Sequence, residues 1–168
     1  MLFRSLGEVI RSVVRVSAPP IEQGRLTVGI HLPPELPRLR ADERKTRQVF
    51  FNLIGNAVKF TPADGHIDIF VRFDERAGMF ITVADTGIGI APQDLERVLE
   101  PFVQVDNSLS RRHAGTGLGL PAVKRIMEMH GGLFELRSTV AVGTEATIVF
   151  PVERAVFERQ RRPALSAA

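Results

Sequence analysis

The hexapeptide Asp85-Thr86-Gly87-Ile88-Gly89-Ile90 follows an apolar, strand-like run over residues 79–84. Glycines at the second and fourth positions after the aspartate permit positive φ and leave no Cβ, so another molecule can approach the backbone closely. A carboxylate at a strand end beside such a turn can serve as one buried acceptor at the floor of a pocket. The same residues also suit a simple β-turn in which Asp85 bonds its own backbone. A second set is Asn52, Asn56 and Lys59, which at i, i+4 and i+7 share one face of a helix. Asparagine is a poor mid-helix residue because it competes for backbone bonds. Two of them stacked with a lysine make either a solvated face or a face of neutral oxygens and an ammonium turned toward a metal–phosphate group. The third set is Gly115-Thr116-Gly117-Leu118-Gly119-Leu120, where a loop opens a helix. Glycines there let backbone N–H groups gather on an anion. This run is not a dinucleotide fingerprint, since no strand precedes it and Leu120 stands where a small residue is needed. Nor is it a Walker A loop, because no Gly-Lys-Ser/Thr follows.

These sets must be positioned by regular elements. Apolar residues at 2, 3, 6, 9, 10, 13, 14 and 16 predict a helix over residues 2–16, stopped by Ala18-Pro19-Pro20. Residues 25–32 read as a strand and 33–37 as a loop. A helix over 41–60 has Asp42 as N-cap and ends at Thr61-Pro62; Val49, Phe50, Leu53, Ile54 and Ala57 form its apolar stripe. Strands over 66–73 and 79–84, joined by a turn at 74–78, predict an antiparallel hairpin. Ala91-Pro92 opens a short helix to about residue 99. Residues 100–114 have no period and are long for a structureless connection, as functional loops are. The next helix buries Leu120, Val123, Ile126 and Met127 and closes at His130-Gly131-Gly132. Strands over 133–138 and 144–149 follow, and after Pro151 the pattern dissolves into a frayed tail.

Composition narrows the function classes. The 168 residues are 44% hydrophobic, enough for the core of one ordinary domain. Lys and Arg number 22 against 19 Asp and Glu, a formal net charge of only +3, and no Tyr or Trp is present to stack on bases. Nothing asks for nucleic acid. The chain has no cysteine, hence no disulfide framework and no thiolate chemistry. No apolar run reaches the length of a membrane span, and Glu8 with several arginines makes residues 1–17 unlike a signal peptide.

Taken in order, Asn52-x-x-x-Asn56-Ala57-x-Lys59-Phe60, Asp85-x-Gly87-x-Gly89-Ile90, Pro101-Phe102, Gly115-Thr116-Gly117-Leu118-Gly119-Leu120 and Gly143-Thr144 resemble a known set. They are similar to the N, G1, F, G2 and G3 boxes in the catalytic and ATP-binding domain of sensor histidine kinases of two-component systems. Each box alone is weak; all of them in this order, across residues 6–151, are specific. Gly119-Leu120-Pro121, His130-Gly131-Gly132 and Glu153-Arg154 resemble the PAS-linked type.

The resemblance implies an α/β two-layer sandwich, the Bergerat ATP-binding fold, with a mixed sheet of about five strands covered by three helices. It implies ATP and Mg²⁺ as cofactors. Asn56 would bind Mg²⁺ with Asn52 in support, and Lys59 would neutralise phosphate oxygens. Asp85 would accept from the adenine amino group, Gly87 and Gly89 would let the turn approach the base, and Ile90 completes that box. The 100–114 loop would be an ATP lid anchored by Phe102, with Arg111 or Arg112 reaching the terminal phosphates. Gly115, Gly117 and Gly119 would offer N–H groups to them, within a nucleotide-binding run that includes Thr116, Leu118 and Leu120. Thr144 would support adenine binding.

One departure matters. The family's phosphorylated histidine is followed by an acidic residue on a separate helical hairpin, whereas the four histidines here precede Leu32, Ile67, Ala114 and Gly131. The chain is therefore expected to be the catalytic half alone: residues 1–20 a helix or linker from the dimerisation and phosphoacceptor domain, 21–152 the catalytic domain, 153–168 a flexible tail. Its expected partners are that phosphoacceptor domain and the receiver domain of a response regulator. It is expected to be monomeric, cytoplasmic and without membrane contact of its own, whether or not a longer protein is membrane-anchored. Two other readings compete. ATPases of the gyrase, Hsp90 and mismatch-repair kind carry Glu, a base for water, where this chain has Asn52, and a neutral amide cannot take that proton. A degenerate docking module without nucleotide would not need Asp85, Asn56 and the glycines.

Overall fold

A computed structural model describes residues 2–3, 5–104 and 116–157. Arg111, Arg112, Gly115 and His113, singled out in the sequence, lie outside the described residues, as does the tail from residue 158.

The central helix α3 (Glu43–Phe60) forms where the sequence pattern places it. Asp42 caps it by accepting the Lys45 N–H at 3.0 Å, and the Thr61 hydroxyl donates to the Ala57 carbonyl at 2.6 Å at its end. Its stripe of Val49, Phe50, Leu53, Ile54 and Ala57 is buried. The other face, carrying Asn52, Asn56 and Lys59, is left partly open. Strand β4 (His66–Asp74) pairs antiparallel with β5 (Gly78–Asp85), as the hairpin pattern predicts. With β2 (Thr27–His31), β6 (Leu133–Thr139) and β7 (Gly143–Phe150) they form one five-stranded sheet in the order β2-β4-β5-β7-β6. Only the β2–β4 pair is parallel, so the sheet is mixed.

Alternation gives the sheet two unlike faces. Ile67, Ile69, Val71, Met79, Ile81, Val83, Ile148 and Phe150 are buried beneath the helices. On the opposite face Phe70 is exposed, with the His31 ring stacked on it and the His31 Nε2 2.7 Å from Asp68. The helical layer is α3, α1 (Leu6–Val16) and α4 (Gly119–Met129). Ile10 and Val13 of α1, Phe50 and Ile54 of α3 and Met127 of α4 are fully buried in the same core. Each such side chain contributes about 1.5–3 kcal/mol of burial free energy.

Four details differ from the sequence-based expectation. The first helix starts at Leu6, capped by Ser5, and Leu2–Phe3 is instead a short strand, β1. Pro19 and Pro20 do not end the helical region. They sit in the first turn of a second helix, α2 (Ala18–Gln23), where proline's missing N–H has no partner to lose. The helix predicted to residue 99 is two 3₁₀ turns, Pro92–Asp94 and Arg97–Leu99, closed by an Arg97–Asp94 ion pair at 2.7 Å. A three-stranded second sheet has no counterpart in the sequence pattern: β3 (Arg38–Arg40) pairs with β1 on one side and β8 (Ala155–Val156) on the other.

His130 closes α4 with Gly131 at φ 66°. The Gly132 N–H reaches the Met127 carbonyl and the Gly131 N–H the Glu128 carbonyl, a Schellman end. The buried imidazole of His130 sits 2.8 Å from the Ile126 carbonyl and accepts the Asp42 N–H at 3.2 Å, joining α4 to the cap of α3. Arg154 completes the junction, donating to the carbonyls of His130 and Arg40.

Candidate functional site

A cavity of about 930 Å³ opens between the polar face of α3, the C-terminal end of β5, the β6–β7 hairpin and the N-terminus of α4. Twelve of the residues singled out in the sequence line it: Asn52, Asn56, Lys59, Asp85, Gly89, Ile90, Thr116, Gly117, Leu118, Gly119, Leu120 and Thr144. The volume suits a small-molecule ligand.

The floor is built on Asp85, the last residue of β5. Its Oδ1 accepts the Gly87 N–H at 2.8 Å and the Thr144 N–H at 3.2 Å. The self-bonded turn read from the sequence is thus present, and a second strand reinforces it. Oδ2 makes no hydrogen bond among the described residues and remains an acceptor. Burial pushes the Asp85 carboxyl above the usual carboxylate range, against the pull of those two N–H groups. The walls around it are apolar: Val83, Ile88, Ile90, Leu136, Val140 and Ala146. Gly89 has φ 70°, and a Cβ there would collide with the Thr139 carbonyl. Gly143, at φ 145°, would drive a Cβ into the Asp85 carbonyl.

The α3 wall of the cavity is polar. The amides of Asn52 and Asn56 make no hydrogen bond to any described residue, so both are available to a ligand. Burial holds the Lys59 ammonium below the usual lysine range, and its Nζ lies 4.9 Å from the centre of the Phe60 ring. Gly119 packs against Asn52: a Cβ there would stand 3.7 Å from the Asn52 amide. Leu118, the residue before α4, has no side-chain oxygen to cap the helix, and Pro121 has no N–H. Gly119 and Leu120 thus line the cavity at the positive end of an 11-residue helix whose first N–H groups have no side-chain cap.

Two singled-out residues are not in the lining. Gly87 sits beneath Asp85, where a Cβ would stand 2.5 Å from Oδ1 and 2.7 Å from the Phe60 carbonyl; it makes room for the carboxylate. Phe102 is 75% exposed. At φ 67° it donates its N–H to the Gly117 carbonyl at 3.1 Å, so it fastens the loop through its backbone while its ring faces out.

One residue was missed. Ser138 of β6 accepts the Ile90 N–H at 2.8 Å and bonds both the Gly143 carbonyl and the Thr144 hydroxyl at 2.8 Å. Together with the Ala141 N–H on the Ile88 carbonyl at 2.9 Å, it stitches the 85–90 turn to the β6–β7 hairpin.

The lining carries two kinds of chemistry. A lone carboxylate acceptor among apolar walls fits a flat ring bearing an amino donor. Free amides, an ammonium and an uncapped helix start fit a polyanion. Among the described residues no group of three or more His, Asp or Glu could hold a metal by itself. A neutral amide oxygen, with ligand oxygens and water, does suit a hard cation such as Mg²⁺, which gives up its waters reluctantly.

Residues 41–154 match the family described as histidine kinase-, DNA gyrase B-, and HSP90-like ATPase. The non-motile and phage-resistance protein of Caulobacter vibrioides is 40% identical over 152 residues, 88% of this chain and 18% of its own length. An uncharacterized sensor-like histidine kinase of Rhizobium meliloti is 42% identical over 123 residues, 73% of this chain and 23% of its own. The chain thus spans about a fifth of the length of these curated relatives. The crystal structure of full-length ShkA in complex with AMPPNP superposes with a TM-score of 0.80 at 30% identity, over 92% of this chain and 31% of that one.

Proposed function

The chain belongs to the histidine kinase-, DNA gyrase B- and HSP90-like ATPase family, and from that premise we propose that it is the ATP-binding catalytic part of a protein-histidine kinase. One observation favours phosphoryl transfer over hydrolysis. The only carboxylates among the described residues that line the cavity are Asp85 and Asp94. Asp85 closes the floor, and Asp94 is paired with Arg97 at 2.7 Å. The α3 face offers the amides of Asn52 and Asn56, neither of which can take a proton from water. A polyphosphate can be held there without an adjacent base to activate hydrolysis. The AMPPNP complex of the similar ShkA supports a nucleotide as the ligand.

In this reading Asp85 Oδ2 accepts from the 6-amino group of adenine, and the apolar walls exclude water from the ring. The triphosphate runs toward Lys59 and the N–H groups of Gly119 and Leu120. Asn56 would hold Mg²⁺ through its side-chain oxygen with Asn52 beside it, and the ion would supply neutralisation of phosphate charge. Positioning and charge neutralisation are what phosphoryl transfer needs from a protein. The acceptor is the imidazole of a histidine on a separate dimerisation and phosphoacceptor domain. A P–N bond forms, the bond from the γ-phosphorus to the bridging oxygen breaks, and ADP leaves. A response-regulator aspartate is the next acceptor. The setting is the cytoplasm; among the described residues no helix is long and apolar enough to cross a membrane.

Calorimetry with ATP, ADP and GTP, with and without Mg²⁺, tests the nucleotide. Incubation with γ-labelled ATP, alone and with a matched phosphoacceptor domain, tests the transfer. Labelling of the partner domain and not of this chain is expected. No binding at all would favour a docking module; rapid release of inorganic phosphate would favour an ATPase.

A further inference from the structure

We propose that Ser138 is a positioning residue that fixes the polarity of the cavity floor, and through it the preference for a 6-amino over a 6-oxo purine. The proposal rests on the nucleotide reading above. It follows from counting hydrogens in one small network. A serine hydroxyl has one hydrogen to donate and two lone pairs to accept with. The Ile90 N–H can only donate, and it points at Ser138 Oγ from 2.8 Å. The Gly143 carbonyl can only accept, and it lies 2.8 Å from the same oxygen. Ser138 must therefore spend its single hydrogen on Gly143. The third bond, to the Thr144 hydroxyl at 2.8 Å, is then satisfied only if Thr144 donates and Ser138 accepts.

Thr144 lines the cavity. With its hydrogen committed to Ser138, its hydroxyl presents only lone pairs to a ligand. The neighbouring Asp85 carboxylate likewise only accepts when ionised. The polar floor therefore holds two acceptors and no side-chain donor. A 6-amino group, directly or through a water, finds partners there; a 6-oxo group meets lone pairs. Without Ser138 the Thr144 hydroxyl would rotate freely and could donate to an oxo group.

The test measures affinity of the whole chain for ATP and for inosine triphosphate, which differs at position 6 without the 2-amino group of guanine. The wild type should prefer ATP. Ser138→Ala should narrow the ATP/ITP ratio by roughly threefold or more, the scale of one neutral hydrogen bond. Ser138→Thr, which keeps the hydroxyl, should restore the ratio. Adding Ser138→Ala to Thr144→Val should leave the ratio of Thr144→Val unchanged, because Ser138 acts through that hydroxyl. Should Ser138→Ala not fold, Thr144→Val carries the test alone: losing an acceptor should weaken ATP and spare ITP. An unchanged ratio in Ser138→Ala, equal weakening of both nucleotides in either variant, or a Ser138 effect that persists without Thr144 overturns the proposal. A wild type that binds neither nucleotide overturns the nucleotide reading itself, a result distinct from wild-type ATP preference with a Ser138-independent ratio.

Discussion

Asp85 and Thr144 are register partners on β5 and β7, and the Thr144 N–H donates across the strands to Asp85 Oδ1 at 3.2 Å. The carboxylate is thus held by a neighbouring strand as well as by its own turn. One oxygen is fixed in the fold and the other is left for a ligand.

This arrangement predicts base choice. A charge-assisted hydrogen bond contributes roughly 1.5–3 kcal/mol, and guanine places an acceptor where adenine has a donor. ATP and ADP should bind at least about tenfold more tightly than GTP. Asp85→Ala should remove most of the difference. Equal calorimetric affinities of the wild-type chain for ATP and GTP would refute the role given to Asp85.

The raised Asp85 pKa predicts an opposition between stability and binding. A carboxyl whose folded pKa lies above its unfolded value makes the folded state bind its proton more tightly. Stability then falls as pH rises through the window between the unfolded value of about 4 and the raised folded value. Asp85→Asn keeps an oxygen for the Gly87 and Thr144 N–H groups and removes the buried charge. It should raise Tm at neutral pH, with the gain vanishing below the unfolded carboxylate range, while ATP affinity falls. A lower Tm for Asp85→Asn at pH 7 would contradict the burial argument.

Asn56 should act through the cation. Asn56→Ala is expected to weaken Mg²⁺-ATP far more than metal-free ADP, because the lost oxygen is a ligand to the ion. Paired titrations with Mg²⁺ and with a chelator make the comparison. Equal weakening of both would show that Asn56 shapes the cavity.

Helix α1 belongs to the core that carries the site. Ile10 is fully buried, and Ile10→Ala should cost about 2–5 kcal/mol of stability by urea unfolding. A cost near zero would mean that α1 is an appendage to an independently stable remainder.

Much of this was legible in the sequence for definite reasons. The spacing of Asn52, Asn56 and Lys59 put them on one helix face, and the structure lines the cavity with all three. Alternation in 66–73 and the apolar run over 79–84, with a turn between them, placed a hairpin whose register leaves Asp85 at the strand end. Pro19 and Pro20 misled because proline both ends helices and begins them, and local sequence does not say which. Strand β3 is three residues long with one buried side chain, Leu39, too short for a period. Ser138 was invisible for another reason. Its importance comes from Ile90, 48 positions away, and from a hairpin partner, neither of which leaves a mark on the residues beside it.

The second sheet brings distant parts of the chain side by side. Strands β1 and β8 flank β3, so the two ends of the described chain run about 10 Å apart, two strand spacings. Polypeptide attached at either end would pull on the same three short strands. Arg154 ties that sheet to His130, and His130 terminates α4, a rod of roughly 16 Å whose far tip opens on the cavity. The two ends of the described chain, the end of α4 and the polar side of the cavity are thus joined by one run of hydrogen bonds and helix, which rests on the same core as the five-stranded sheet.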